Sequence, residues 1–308
     1  MILPSNQSPL GALPARFRRL RVLIVGCGDV GLRAARALGS HVRVLALTSS
    51  SERVPALRAH GITPLLGNLD SAASLRRLAG LAPYVLHLAP PPNDDPACRF
   101  DPRTDALLRA LRLRSVPAAV VYGSTSGVYG NCHGDWVSET RAVNPQTARA
   151  QRRVHAERAL RLFGRATGTR THILRIPGIY APDRDGGTPK ARLLRGAPVL
   201  VPADDVYTNH IHADDLARAC LAALWRGKPQ RISHVNDNTD LKMGDYFDMA
   251  ADLYGLSRPP RIALSLAKEQ LPPLQITFMA ESRRLSNQRM KRELRLALRY
   301  PTAAAGLG

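Results

Sequence analysis

The chain has 308 residues, 44% of them hydrophobic, and carries 44 Lys and Arg against 24 Asp and Glu, for a net charge of +20 and a pI near 11.0. That length suits one large or two small globular domains, and the apolar content is enough for a sizeable core. No apolar run approaches the roughly 20 residues of a membrane-spanning helix, which excludes that class.

Residues 1–20 include Pro4, Pro9, Gly11 and Pro14 and lack a signal-type apolar core, so they read as a loose leader on a cytoplasmic protein. Surplus positive charge ordinarily raises nucleic acid as a partner. Here it is spread from Arg16 to Arg21, Arg109 to Arg114, Arg149 to Arg165 and Arg283 to Arg299, with no aromatic platform among the arginines. Only five basic residues are lysine and 39 are arginine, a bias of the whole composition rather than of one face. Nucleic acid is therefore not expected as a partner, while guanidinium forks suit an anionic small molecule. Cys27, Cys98, Cys132 and Cys220 stand far apart without metal-like spacing, so reduced thiols and no metal site are expected.

The first element is the apolar run Arg21 to Val25, a strand that meets Gly26-Cys27-Gly28-Asp29-Val30-Gly31 and then the helix-forming stretch Leu32 to Leu38. Gly26 permits the sharp turn, Gly28 lets backbone N–H groups approach a pyrophosphate, and Gly31 lets the helix pack on the sheet. The helix N-terminus then faces the phosphates. This strand-turn-helix context predicts a dinucleotide site; without a ligand the same residues form only a glycine-rich turn.

A second strand, His41 to Leu47, ends in Thr48-Ser49-Ser50-Ser51 and is followed by Arg53. An NAD turn places an acid at the strand end for the ribose hydroxyls, and Thr48 to Ser51 offer none there. Thr48, Ser49, Ser50 and Arg53 are therefore candidates for a 2′-phosphate, favouring NADP over NAD, although serine also suits the cap of the next helix. Ile62 to Leu66 leads to Asn68 and Leu69, and Ser71 to Leu78 reads as a helix capped by Asp70 or Ser71. Tyr84 to Ala89 is a strand stopped by Pro90-Pro91-Pro92, followed by a helix from Pro102 to Arg114 and a strand from Ala118 to Tyr122. Strands alternating with helices predict an α/β fold with a doubly wound parallel sheet.

That strand continues into Gly123-Ser124-Thr125-Ser126-Gly127-Val128-Tyr129-Gly130. Asn144-Pro145-Gln146-Thr147, Leu174-Arg175-Ile176-Pro177-Gly178-Ile179-Tyr180-Ala181-Pro182 and Asn209 to Ala217 then follow in order. On these motifs the chain resembles the extended short-chain dehydrogenases/reductases of the NAD(P)-dependent epimerase/dehydratase kind, over most of residues 21–300. The resemblance implies a Rossmann-type domain over residues 21–178, with 208–234 returning to it, and a smaller substrate lobe built from 179–207 and 235–308. It implies that Asn68 and Leu69 contact adenine, that Ala89 lies beside the ribose, and that Pro177 and Gly178 lie beside the nicotinamide. Thr125, four residues before Tyr129, matches the group that hydrogen-bonds the reacting oxygen. Oxidoreductase or epimerase chemistry on a sugar-nucleotide-like substrate follows from the resemblance, and a homodimer is compatible with it.

One family feature is replaced. The tyrosine and lysine of Tyr-x-x-x-Lys would fall at Arg149 and Arg153, still on one helix face. The family's tyrosine moves a proton, whereas arginine stays protonated and has no acceptor site. Arg149 could instead be a fixed donor to an oxyanion or an anionic substrate, with Arg153 on the ribose; equally, both could mark a catalytically degenerate NADP-binding sensor or regulator. Tyr129, Tyr180, His133 and Asp135 are the replacement acid–base candidates. His210 and His212 alternate along a strand like a zinc pair, but no third ligand is nominated. The basic run Ser282 to Leu294 reads as a short helix with its apolar side on the substrate lobe.

Overall fold

Continuous burial along the apolar runs, covered on both faces, builds the molecule around one sheet. The computed structural model describes residues 19–93, 95 and 97–308, so the expected leader up to residue 18 lies outside the described residues. In the first half, β1 (Leu20–Val25), α1 (Asp29–Leu38), β2 (Val42–Thr48), α2 (Arg53–Ala59), β3 (Thr63–Leu66) and the single turn α3 (Ala72–Leu75) are followed by β4 (Tyr84–His87), α4 (Pro102–Leu111) and β5 (Ala119–Thr125). Next come β6 (Trp136–Val137), the long α5 (Ala148–Thr167), β7 (Arg170–Ile176) and β8 (Gly178–Tyr180). Then α6 (Lys190–Leu194), β9 (Val199–Leu200), β10 (Tyr207–Thr208), β11 (His210–His212), α7 (Ala213–Arg226) and β12 (Arg231–His234) lead into the closing segments.

The seven-stranded sheet has the order β12-β7-β5-β4-β1-β2-β3, and every pairing in it is parallel. Period-two alternation splits β1 between two cores. Val22 and Ile24 pack with Ala34 of α1 and with Leu216, Cys220 and Leu224 of α7. Leu23 and Val25 pack on the other face with Leu107 and Leu111 of α4 and Leu160 and Phe163 of α5. Each such fully buried aliphatic or aromatic side chain contributes about 1.5–3 kcal/mol relative to exposure. The doubly wound Rossmann-like α/β sheet is as the sequence predicts.

The chain leaves β1 toward β2 and β3, then crosses back to place β4 on the other side of β1. This reversal opens a crevice at the carboxyl ends of β1 and β4, where such sheets hold ligands. A third core, with Tyr180, Leu193, Val199, Tyr246, Phe247 and Ala250, forms the lobe above it around α8 (Met243–Tyr254).

Three local details depart from the sequence reading. The helix after Pro102 ends at Leu111, and its N-cap is Asp101, whose carboxylate accepts from Thr104 N at 3.2 Å. After α3 the expected helix tightens into a 3₁₀ turn over Arg76–Leu78. The basic run 282–294 does contain a helix, Gln288–Glu293, but Met290 and Leu294 join the sheet-side core with Val22 and Ile24 rather than the lobe. Arg289 fixes that position by donating from Nη1 to the β12 carbonyl of Ile232 at 2.9 Å.

Candidate functional site

The glycine turn between β1 and α1 forms the floor of the crevice. Gly26 has φ +86°, and a Cβ there would lie 2.3 Å from Ala89 N, so only glycine lets the ends of β1 and β4 meet. Gly28, the residue before α1, would place a Cβ in open space, and the first-turn N–H groups above it have no intrahelical acceptor. A cavity of about 310 Å³ opens there, bounded by the turn and α1 start, Gly123 to Thr125, Arg153, Pro177, Ile179 and Arg184. Open backbone at a helix N-terminus beside a guanidinium fits a dinucleotide's phosphates.

Of the other cofactor candidates only Pro177 is among the described residues lining this cavity; Gly178 lines a second one, and Cys27, Thr48, Ser49, Ser50, Arg53, Asn68, Leu69 and Ala89 line neither. Cys27 is buried, and burial pushes its thiol up to about 11 against the opposing charge of Arg53. Arg53 donates to the Cys27 carbonyl at 2.6 Å, which lays its guanidinium over the turn. Thr48 is buried and its hydroxyl donates to the Ser50 carbonyl at 3.2 Å, while Ser49 is exposed. Asn68 is exposed beyond β3, Leu69 packs against the core under β1, and Ala89 N donates to Val25 O at 3.0 Å. Gly178 is exposed beside half-buried Pro177 at the start of β8.

Thr125, at the end of β5, and Arg153, on α5, line both this cavity and a second one of about 520 Å³. Thr125 Oγ1 accepts from Gly127 N at 3.2 Å, capping the 3₁₀ turn Ser126–Tyr129. Arg153 donates to Gly123 O at 2.6 Å and Tyr122 Oη at 3.1 Å, so its guanidinium is pinned at the sheet end. Arg149, one turn earlier, reaches only the second cavity and lies 4.7 Å from the Phe278 ring centroid. Burial at the cleft wall lowers its pKa, Glu281 opposes that, and Arg153 and Arg152 add to it.

Tyr129 points elsewhere. Its hydroxyl accepts from Arg175 Nη1 at 2.6 Å, sits 2.6 Å from His234 Nε2, and is raised to about 12 by burial, which outweighs the attraction of Arg175. Arg175 in turn grips Glu157 at 3.0 and 2.7 Å, and Ser124 donates to the same carboxylate at 2.7 Å. The 3₁₀ turn thus aims Tyr129 into a buried structural network and away from both cavities. Tyr180 is likewise committed, donating to Thr302 O at 3.1 Å within the lobe. His133 and Asp135 lie exposed in the loop after Gly130, Asp135 paired with Arg141. His210 stacks on Tyr246 and His212 on Tyr300, so the two imidazoles serve different packing partners.

The second cavity contains what the sequence did not reveal. Among the described residues lining it, Arg149, Arg153, Arg184, Arg192 and Arg283 face a single acidic side chain, Glu281. Glu281 pairs with Arg283 at 2.8 Å, and Arg283 is held to the Thr125 loop by donating to Gly130 O at 3.0 Å. A Cβ placed on Gly127 would lie 3.6 Å from Thr125 Oγ1 and 3.9 Å from Glu281 Oε2, so hydroxyl and carboxylate flank one small space. The one signal in sequence was an acid isolated among Arg283, Arg284 and Arg289.

The family model described as "NAD dependent epimerase/dehydratase family" matches residues 22–236. A functionally unknown conserved protein from Silicibacter pomeroyi DSS is similar at 29% identity, with 93% of this chain and 96% of that chain covered and a TM-score of 0.74. A UDP-glucose 4-epimerase from Thermotoga maritima, solved with UDP-glucose, is 19% identical over 94% of this chain and 96% of that one, with a TM-score of 0.77. A UDP-glucuronic acid 4-epimerase from Bacillus cereus, solved with UDP-glucuronic acid and NAD, is 18% identical over the same shares, with a TM-score of 0.73. No curated protein matches the chain. With its Rossmann-like sheet and a family match running from β1 past β12, the chain belongs to the NAD dependent epimerase/dehydratase family.

Proposed function

We propose that the chain is an enzyme that binds NADP in preference to NAD and carries out oxidoreduction or epimerisation on an anionic, sugar-nucleotide-like substrate. The observation that carries this reading is the meeting of the two cavities at Thr125, Arg153 and Pro177, which puts the cofactor crevice against an arginine-lined chamber. The NADP preference rests on Arg53 over the glycine turn and on hydroxyls in place of an acid after β2. A bound nicotinamide supplies hydride exchange. This chain's residues would hold the substrate: Thr125 Oγ1 hydrogen-bonds the reacting oxygen, and Arg149 anchors an adjacent anionic group or oxyanion. A guanidinium cannot accept the proton, so Glu281 Oε2 is the group assigned to take it from the substrate hydroxyl and return it.

A second reading, a regulator that senses NADP without turnover, is favoured by the loss of the tyrosine at Arg149. Incubation with nucleotide sugars and nucleotide sugar acids, following nicotinamide absorbance and product formation, separates the two. Turnover by the native chain that Glu281→Gln abolishes supports the enzyme. Turnover that emerges only in the double variant Arg149→Tyr with Arg153→Lys supports the regulator and contradicts the enzyme.

A further inference from the structure

Residues 181–187 carry the chain from β8, beside the crevice, to α6 in the lobe. They fold back on themselves: Arg184 N donates to Ala181 O at 3.2 Å, Gly187 N to Arg184 O at 2.9 Å, and Ala181 N to Gly187 O at 3.2 Å. The base of this loop is tied down by Arg33, a buried residue of α1. Arg33 Nη2 meets Asp183 Oδ1 at 2.6 Å, its Nη1 meets Asp214 at 2.6 Å, and its Nε meets Asp29 at 2.9 Å. Burial alone would lower the Arg33 pKa, but these three carboxylates raise it, so the tie persists at any ordinary pH.

At the tip, Arg184 Nη1 reaches the other oxygen of Asp29 at 2.6 Å, with the Arg184 side chain 30% exposed. Asp29 is the first residue of α1, so its carboxylate stands where a dinucleotide's phosphates would come against the helix N-terminus. A lone carboxylate there would repel them; the Arg184 guanidinium offsets that charge. Arg33 is saturated by its three acids, whereas Arg184 has one acidic partner among the described residues and lines both cavities.

We infer that Arg184 is a clasp for the pyrophosphate of a dinucleotide, resting on Asp29 in the free protein and turning its remaining donors to the phosphate oxygens when the crevice fills. This rests on the reading of the crevice as a dinucleotide site. The clasp holds ligand from the lobe side, opposite the glycine turn, and its loop continues into α6 with Arg192 on the substrate chamber wall.

The test is calorimetric titration of the full chain and of Arg184→Ala and Arg184→Lys with three probes: NADP⁺, 2′-phospho-ADP-ribose, and adenosine 2′-monophosphate, which has no phosphate at the 5′ position. Arg184→Ala is expected to weaken the first two alike, about 10- to 100-fold, with the third unchanged and Arg184→Lys recovering part of the loss. The salt dependence of NADP⁺ binding should also become shallower. Equal NADP⁺ affinity in the native chain and Arg184→Ala overturns the clasp, as does an equal loss for all three probes, which would mark a structural role. If the native chain binds none of the probes, the dinucleotide reading itself is overturned.

Discussion

Where the family resemblance puts a proton-moving tyrosine, Arg149 offers five fixed donors and no acceptor, laid on the face of Phe278. Residue-scale energetics are clearest in the network beneath it, where Glu157 and Arg175 are each 2% exposed. Removing one partner leaves an uncompensated buried charge, so Glu157→Ala is expected to cost about 3–5 kcal/mol in urea denaturation. The pair Glu157→Leu with Arg175→Met should recover most of that loss, and a double variant as unstable as the single one would show that the network's other hydrogen bonds dominate. Tyr129 illustrates what the sequence cannot tell. Its place four residues after Thr125 made it a cleft candidate, yet whether a 3₁₀ turn aims a ring inward or outward depends on Arg175 and His234, which only the tertiary fold delivers. Glu281 was missed for the same reason, since its approach to Thr125 leaves no spacing pattern in the chain.

Among the elements, the β1 turn and α1 were readable because each glycine has a local duty. Those duties separate experimentally. Gly26→Ala forces a Cβ to 2.3 Å from Ala89 N at a φ of +86°, so it should lose more than about 2 kcal/mol of stability. Gly28→Ala meets nothing within 4 Å, so its melting temperature should hold while dinucleotide affinity falls, because the new methyl occupies the phosphate's approach. Equal melting losses in the two variants would refute this division of roles. Helix ends were less readable. The N-cap at Asp101 escaped notice because Pro102 already explained the helix start, and Asp101→Ala should cost about 1 kcal/mol or somewhat more. The helix 288–293 packs on the sheet-side core and not on the lobe, because an amphipathic pattern says that a face is buried, not against which partner.

Over the whole molecule, burial of neutral imidazoles couples stability to pH. Burial depresses His87 and His234 to about 3 and His172 and His210 to about 4. Unfolded histidines titrate near 6.5, so between about pH 6.5 and 4 the unfolded chain binds protons that the folded chain refuses. The stability these rings confer is therefore complete above about pH 6.5 and is lost as pH falls, by up to about 1.4 kcal/mol per pH unit for each ring. Asp237, raised by burial to about 7, and Asp205, also raised by burial, work in the opposite sense but are outnumbered. The urea midpoint should fall between pH 7 and pH 5; a flat or rising midpoint would contradict this balance.

The order of strands around β1 makes the crevice, and the residues at Thr125, Arg153 and Pro177 join it to the arginine-lined cavity beneath the lobe, where the proposed function puts cofactor against substrate. Calorimetric titration of the full chain with NADP⁺ and with NAD⁺ tests that account most directly. One saturable site per chain, tighter for NADP⁺ than for NAD⁺, is the predicted result, and no binding of either dinucleotide at millimolar concentration would contradict it.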